Sequence, residues 1–285
     1  MWSGRTKVLG VFGHPIAHSL SPKMQNAALK ALGLDFVYVP FDVEPGKLGI
    51  AVAAIRVLGI VGVNVTIPHK EKIIDYLDEV SEEARLVESV NTIHNDGGRL
   101  KGYSTDGKGF LGPLENEGIR LEGMRAVALG AGGSAKAVVR ALASSGVSVT
   151  VINRTAERGA ALAEQINRIV SCEVVRALPL DESDAMRQAV RQADLLVNCT
   201  SVGMYPDTDE SPCSKAMLHP KLLVYDLVYN PVKTRLLQEA EEAGAKTING
   251  VKMLVYQGAE SLRIWVERDP PLDIMEQVVM SVLAA

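Results

Sequence analysis

Ala126-Val127-Ala128-Leu129-Gly130-Ala131-Gly132-Gly133-Ser134-Ala135-Lys136-Ala137 reads as strand, tight turn and helix, and this stretch decides the fold. Glycines permit the turn and let backbone N–H groups approach a phosphate, which then lies on the positive end of the following helix. The spacing is G-x-G-G-x-A, a variant of the dinucleotide fingerprint with Ala135 at the third small position. Gly130, Ala131, Gly132, Gly133, Ser134 and Ala135 are therefore candidate cofactor contacts. A bare strand-to-helix turn is the plainer alternative; the clear strand and helix on either side favour the dinucleotide.

The next strand, Ser148 to Ile152, runs into Asn153-Arg154-Thr155, with Arg158 one turn further on. NAD enzymes usually carry an acid about 20 residues past the glycines to bond the ribose 2′-hydroxyl. This chain has a guanidinium there instead. A carboxylate would repel a 2′-phosphate, whereas Arg and hydroxyl donors attract it. NADP is thus the expected cofactor, with a solvated loop charge as the bland reading of Arg154. A second polar turn, Asn198-Cys199-Thr200-Ser201-Val202-Gly203-Met204, stands at the carboxyl end of a strand, the edge where open α/β sheets bind ligands.

Outward from this centre, short apolar runs alternate with helical patterns, the signature of βαβ units and a mostly parallel sheet. Strands are expected at Lys7 to Phe12, Phe36 to Val43, Val61 to Thr66, Val90 to His94, Leu195 to Cys199 and Leu223 to Leu227. Helices are expected at Pro22 to Leu32, Leu48 to Leu58, a short piece from Pro68, Ser134 to Ser145, Thr155 to Val170, Met253 to Val266 and Asp273 to Leu283. The fold class is α/β, with an N-terminal α/β domain for substrate and a Rossmann-like, doubly wound parallel domain for NADP. Their joint falls near Asp106.

The 285 residues suit two domains, and 47% hydrophobic with 22% charged residues is the balance of an ordinary soluble protein. Thirty Lys plus Arg against 34 Asp plus Glu give a net charge of -4, with no basic run to footprint a nucleic acid. Cys172, Cys199 and Cys213 are scattered and odd in number, as expected of reduced thiols in a cytoplasmic protein. The five histidines show no paired ligand spacing, so no metal is expected. No apolar run approaches the roughly 18 residues of a membrane span, and the first residues lack a signal-peptide pattern. A homodimer fits all of this, and the sequence leaves the oligomeric state open.

Upstream, His18-Ser19-Leu20-Ser21-Pro22 follows the first strand. Ser21-Pro22 reads as N-cap and first helical residue. Ser19 adds a second hydroxyl, giving a neutral donor cluster at a helix N-terminus suited to a carboxylate. In Asn64-Val65-Thr66-Ile67-Pro68-His69-Lys70, Pro68 starts a helix, so Lys70 falls in its first turn. The helix dipole would there lower the lysine pKa toward proton transfer. Asn91-Thr92 interrupts an apolar strand, and Ser104-Thr105-Asp106-Gly107 begins the crossing, where Asp106 reads equally well as an N-cap.

Taken in order, these motifs, with Tyr229-Asn230-Pro231, resemble the shikimate dehydrogenase family along essentially the whole chain. The resemblance implies reversible NADPH-dependent reduction of 3-dehydroshikimate to shikimate, on the route to aromatic amino acids. It implies that Lys70 and Asp106 form the catalytic pair. Ser19, Ser21 and Tyr229 would hold the substrate carboxylate, and Thr66, Asn91 and Gln257 the ring hydroxyls. Asn153, Arg154, Thr155, Arg158, Thr200 and Ser201 would join the glycine turn around NADPH, with Gly250 and Met253 beside the nicotinamide. It also returns the C-terminal helices to the first domain, giving 1–106 plus 248–285 for substrate and 107–247 for cofactor. Two departures are visible: Ser104 stands where the family usually has Asn, and Met24-Gln25-Asn26 replaces a His-Asn pairing. An NAD-preferring quinate/shikimate enzyme and a non-catalytic regulatory paralogue are the rival readings. Ser21 in place of a bulkier threonine, and the absence of an acid near Thr155, lean against the first. The retention of both Lys70 and Asp106 leans against the second.

Overall fold

A computed structural model describes residues 2–181 and 183–284. The chain divides into two compact units, Met1–Gly109 with Val255–Ala285, and Phe110–Leu254.

In the first unit, β1 (Lys7–Gly13), α1 (Ser21–Ala31), β2 (Phe36–Asp42), α2 (Leu48–Val57) and β3 (Gly62–Val65) follow the βαβ rhythm. Then come β4 (Glu79–Val80), α3 (Glu82–Val87), β5 (Thr92–Asp96) and β6 (Arg99–Tyr103). The sheet order is β2-β1-β3-β5-β6-β4. Only β1, β2 and β3 share a continuous parallel set; β5 runs antiparallel to both β3 and β6. The sheet is therefore mixed: β4 pairs parallel with β6, and β5 is the reversed strand in an otherwise parallel sheet. The cause is local: Asp96-Gly97-Gly98-Arg99 is a tight turn in which both glycines have positive φ, 57° and 99°, the geometry that joins two antiparallel strands.

This reversal builds one polar edge. The carboxyl ends of β1 and β3, the start of β5 and the end of β6 come to the same side, as the pairings Phe12 with Val65, Asn64 with Thr92 and Thr92 with Tyr103 require. Alternation along β3 sorts its side chains: Val63 and Val65 enter the apolar cluster with Val52, Ile55, Ile73 and Ile93, while Asn64 faces the opposite layer.

The crossing to the second unit runs in α4 (Asp106–Asn116). Then follow β7 (Arg125–Leu129), α5 (Gly133–Ser144), β8 (Ser148–Asn153), α6 (Ala156–Val170), β9 (Val175–Pro179), α7 (Asp184–Arg191), β10 (Leu195–Asn198), β11 (Leu223–Asp226), α8 (Arg235–Glu242) and β12 (Lys246–Ile248). All neighbouring strands are parallel, in the order β12-β11-β10-β7-β8-β9. Ala126 and Ala128 of β7 enter one apolar layer and Val127 and Leu129 the other, so helices cover both faces. The chain winds outward from β7 through β9, then restarts at β10 beside β7. That reversal is a topological switch point, and open α/β sheets bind ligands outside the carboxyl ends of the strands at such a point, here β7 and β10. The chain returns to the first unit within α9 (Gly250–Val266) and ends in α10 (Leu272–Leu283), which packs along α1.

Candidate active site

The polar edge of the first unit gathers the residues singled out from the sequence. Lys70 Nζ lies 2.5 Å from Asp106 Oδ2, and the other carboxylate oxygen accepts from Asn91 Nδ2 at 2.7 Å. Asn91 is the hub. It also donates to Thr105 Oγ1 at 2.9 Å and Gln257 Oε1 at 3.3 Å, and its own oxygen accepts from Thr105 N at 2.9 Å. Backbone bonds lock the frame, Val90 N to Lys70 O at 2.8 Å and Asn91 N to Tyr103 O at 3.0 Å. Thr66 follows β3, while Ser19 and Ser21 stand where the loop after β1 enters α1; all three are partly exposed.

A second tier supports this one. Asn64 donates to Ser261 Oγ at 2.9 Å and Asn91 O at 3.0 Å, and accepts from the buried Tyr38 hydroxyl at 2.7 Å. Burial pushes the Tyr38 phenol up, keeping it a neutral donor. Thr92 and Ser261 share a hydroxyl pair at 2.7 Å. Gln25 of α1 donates to Gly258 O at 2.8 Å, beside Gln257, and its own oxygen is buried without a partner. The Ser104 hydroxyl is likewise buried and unpaired.

Two expectations need correction here. Pro68 does not start an α-helix: residues 67–71 make turns, and only a 3-10 turn, Lys72–Tyr76, follows. Val90 N takes Lys70 O, which leaves no regular helix whose dipole could act on Lys70. Lys70 Nζ pairs with Asp106 instead. Ser21 is also not an N-cap; it is the first residue of α1, the cap position is Leu20, and no side-chain cap bond forms. Ser19 Oγ instead accepts from Ser21 N at 3.4 Å.

The second unit carries the glycine turn at its switch point. Gly130 has φ +106°, and a Cβ there would lie 3.0 Å from Thr200 Cγ2. A Cβ on Gly132 would meet nothing within 4 Å, so the backbone faces open space. Helix α5 begins at Gly133 with no side-chain cap and no acid in its first turn. Its leading N–H groups are therefore suited to an anion. At the end of β8, Asn153 Nδ2 donates to Thr155 O at 2.8 Å, and Arg154, Thr155 and Arg158 are exposed. This donor set fits a dinucleotide with a phosphate on its ribose. Tyr229 is partly exposed in the loop after β11, and burial pushes its phenol up. Gly250 opens α9 pressed against the Leu227 carbonyl, where no Cβ fits, and Met253 is buried one turn on.

The substrate-binding domain model of shikimate dehydrogenase matches residues 11–93, the shikimate/quinate 5-dehydrogenase model 114–227, and the shikimate 5-dehydrogenase C-terminal domain model 250–280. The NADP(+) shikimate dehydrogenase of Methanothermobacter thermautotrophicus is 46% identical over 285 residues, covering 99% of both chains. This chain belongs to the shikimate dehydrogenase family. A crystal structure of a shikimate dehydrogenase in complex with NADP+ matches with a TM-score of 0.94 at 42% identity, covering 99% of this chain and 98% of that one. The Thermus thermophilus shikimate 5-dehydrogenase in complex with NADP(H) and shikimate gives 0.88 at 40% identity, covering 97% of this chain and all of that one (100%).

Several residues of this family member have roles that the sequence reading did not assign. Asn64, Thr105 and Ser261 build the frame around Asn91, and Asn198 and Asp226 do the same in the second unit. For Asn64, Ser261, Asn198 and Asp226 the signal is a polar side chain inside or ending an otherwise buried element, while Thr105 lies between β6 and α4. Among the described residues no cluster of His, Cys, Asp or Glu could hold a metal, and no helix is long and apolar enough to cross a membrane.

Proposed function

We propose that this chain catalyses the reversible NADPH-dependent reduction of 3-dehydroshikimate to shikimate, a step toward aromatic amino acids. The observation that carries the reading is the Lys70–Asp106 pair held by Asn91 on the polar edge of a family member. Bound NADPH supplies the hydride that reduces the ketone carbon. As that happens, negative charge grows on the carbonyl oxygen. Lys70 Nζ stabilises this oxygen and, as general acid, gives it a proton. Asp106 keeps the ammonium aimed, and Asn91 holds the carboxylate so that Oδ2 stays on Lys70. Ser19 and Ser21 present neutral donors to the substrate carboxylate, and Thr66, Asn91 and Gln257 bond its hydroxyls.

In the second unit, the N–H groups from Gly130 to Ala135 take the pyrophosphate, Arg154 and Arg158 take the 2′-phosphate, and Thr200 and Ser201 border the dinucleotide. The regulatory alternative loses ground because a pure binder has no use for a paired acid. The test mixes purified protein, 3-dehydroshikimate and either NADPH or NADH and follows loss of the reduced-nicotinamide absorbance. Oxidation with NADPH is expected. Silence with both cofactors would sink the enzyme reading, and faster turnover with NADH would sink the cofactor assignment.

A further inference from the structure

Asp226 ends β11 fully buried, and donors converge on it from three segments. Its Oδ1 accepts from Asn198 Nδ2 at 2.9 Å and Val228 N at 3.0 Å, and its Oδ2 accepts from Thr234 Oγ1 at 2.6 Å. The other end of the Asn198 amide faces Thr200, whose N and Oγ1 donate to Asn198 Oδ1 at 3.0 and 2.7 Å. The neighbours decide which way this amide points. Asp226 and Val202 O, the latter 3.3 Å from Nδ2, offer only acceptors, while Thr200 N–H is only a donor. A reversed amide would set oxygen against oxygen on one side and N–H against N–H on the other. The Thr200 hydroxyl proton is thereby committed to Asn198, and one lone pair receives Val202 N at 3.1 Å. Thr200 in turn closes against the glycine turn at Gly130.

We infer that Asp226 and Asn198 are positioning residues for the dinucleotide: the carboxylate orients the Asn198 amide, and the amide fixes Thr200 beside the glycine turn. The inference rests on the reading of Thr200 as a cofactor residue given above. Neither residue needs to touch the ligand. The carboxylate acts as an acceptor of fixed position rather than as a charge, because an amide oxygen in its place would accept from Asn198 and Val228 equally well.

The test is titration of the full-length protein with NADPH in the absence of substrate, read by reduced-nicotinamide fluorescence. Asn198→Ala, Asp226→Ala and Thr200→Val are each expected to weaken NADPH binding about tenfold, the scale of losing an oriented hydrogen bond. Asp226→Asn and Thr200→Ser are expected to stay within about threefold of the parent, since the first keeps an oxygen to accept from Asn198 and Val228, with its NH2 donating to Thr234, and the second keeps the hydroxyl. Adding Asn198→Ala to Thr200→Val should bring no further loss. Additive losses in that double variant, or Asp226→Asn as weak as Asp226→Ala, would overturn the inference. Should Asp226→Ala not fold, as read by its thermal unfolding, the Asn198–Thr200 cycle decides alone. A parent protein that binds no NADPH is a separate outcome, which removes the cofactor reading itself.

Discussion

Lys70 Nζ and Asp106 Oδ2 are 2.5 Å apart with side-chain exposures of only 16% and 4%. Other ion pairs among the described residues, such as Lys72 with Asp75 or Arg168 with Glu164, tie long, exposed side chains. Exposed pairs of that kind contribute little to stability. A buried pair is different: it costs desolvation, and its groups are held in place by the bonds around them. Asn91 supplies that hold on the Asp106 side. The arrangement suits a proton donor whose position matters more than its contribution to folding.

Lys70→Ala is accordingly expected to lower kcat by at least ~100-fold, with little change in the KM for 3-dehydroshikimate. Steady-state kinetics at saturating NADPH check it. A large rise in KM at unchanged kcat would make Lys70 a binding residue instead.

Arg154→Ala tests the cofactor assignment. A charge-assisted bond to phosphate contributes roughly 1.5–3 kcal/mol, so the NADPH dissociation constant should rise at least ~10-fold while that for NADH stays put. Equal weakening of both cofactors would show that Arg154 supports the loop rather than the 2′-phosphate.

The glycine turn of the second unit and the strand and helix beside it were legible in the sequence because their rules are local, whereas β9, α7, α8 and β12 were not. Glycines at Gly130 and Gly132 fix a turn, and apolar runs on either side announce strand and helix without help from the rest of the chain. In the first unit the harder element was β6. Strand β6 carries Arg99, Lys101 and Tyr103 on its exposed or half-exposed side, and Leu100 and Gly102 alone are not an apolar run. The Gly97-Gly98 turn was the missed signal, and with it went the antiparallel pairing that delivers Asp106 to Lys70. Pro68 misled for the opposite reason: it has the chemistry of a helix start, yet the Val90 N to Lys70 O bond claims the backbone for a turn. Polar residues such as Asn64 or Asp226 look like interruptions of a strand until tertiary structure brings their partners from other elements into reach.

Gly62 offers a stability test in the first unit. Trp265 donates its indole N–H to Ile93 O at 2.9 Å across the Gly62 position, and a Cβ on Gly62 would overlap both the indole nitrogen and that carbonyl. The backbone carbonyl cannot rotate away as a flexible side chain would. Gly62→Ala should therefore destabilise the protein by about 2 kcal/mol or more, read by urea unfolding. A variant as stable as the parent would mean that α9 can shift to make room.

Asp226 predicts a pH dependence of definite sign. Burial is the main influence on its carboxyl and raises its pKa to about 6, against hydrogen bonds from Thr234, Val228 and Asn198 that favour the ionised form. The neighbouring Cys199 thiol is pushed up by the same burial and by the Asp226 charge, so it remains a neutral thiol. A raised acid binds its proton more tightly in the folded than in the unfolded chain. Its contribution to stability is therefore greatest at low pH and falls as pH rises from the ordinary carboxylate value through about 6. Asp226→Asn has no such proton to lose. Its stability relative to the parent should rise between about pH 4 and pH 7 by on the order of 2 kcal/mol, then level off. Chemical denaturation of both proteins at pH 5 and pH 8 checks this, and a difference that does not grow with pH would show that the three hydrogen bonds outweigh burial at this carboxylate.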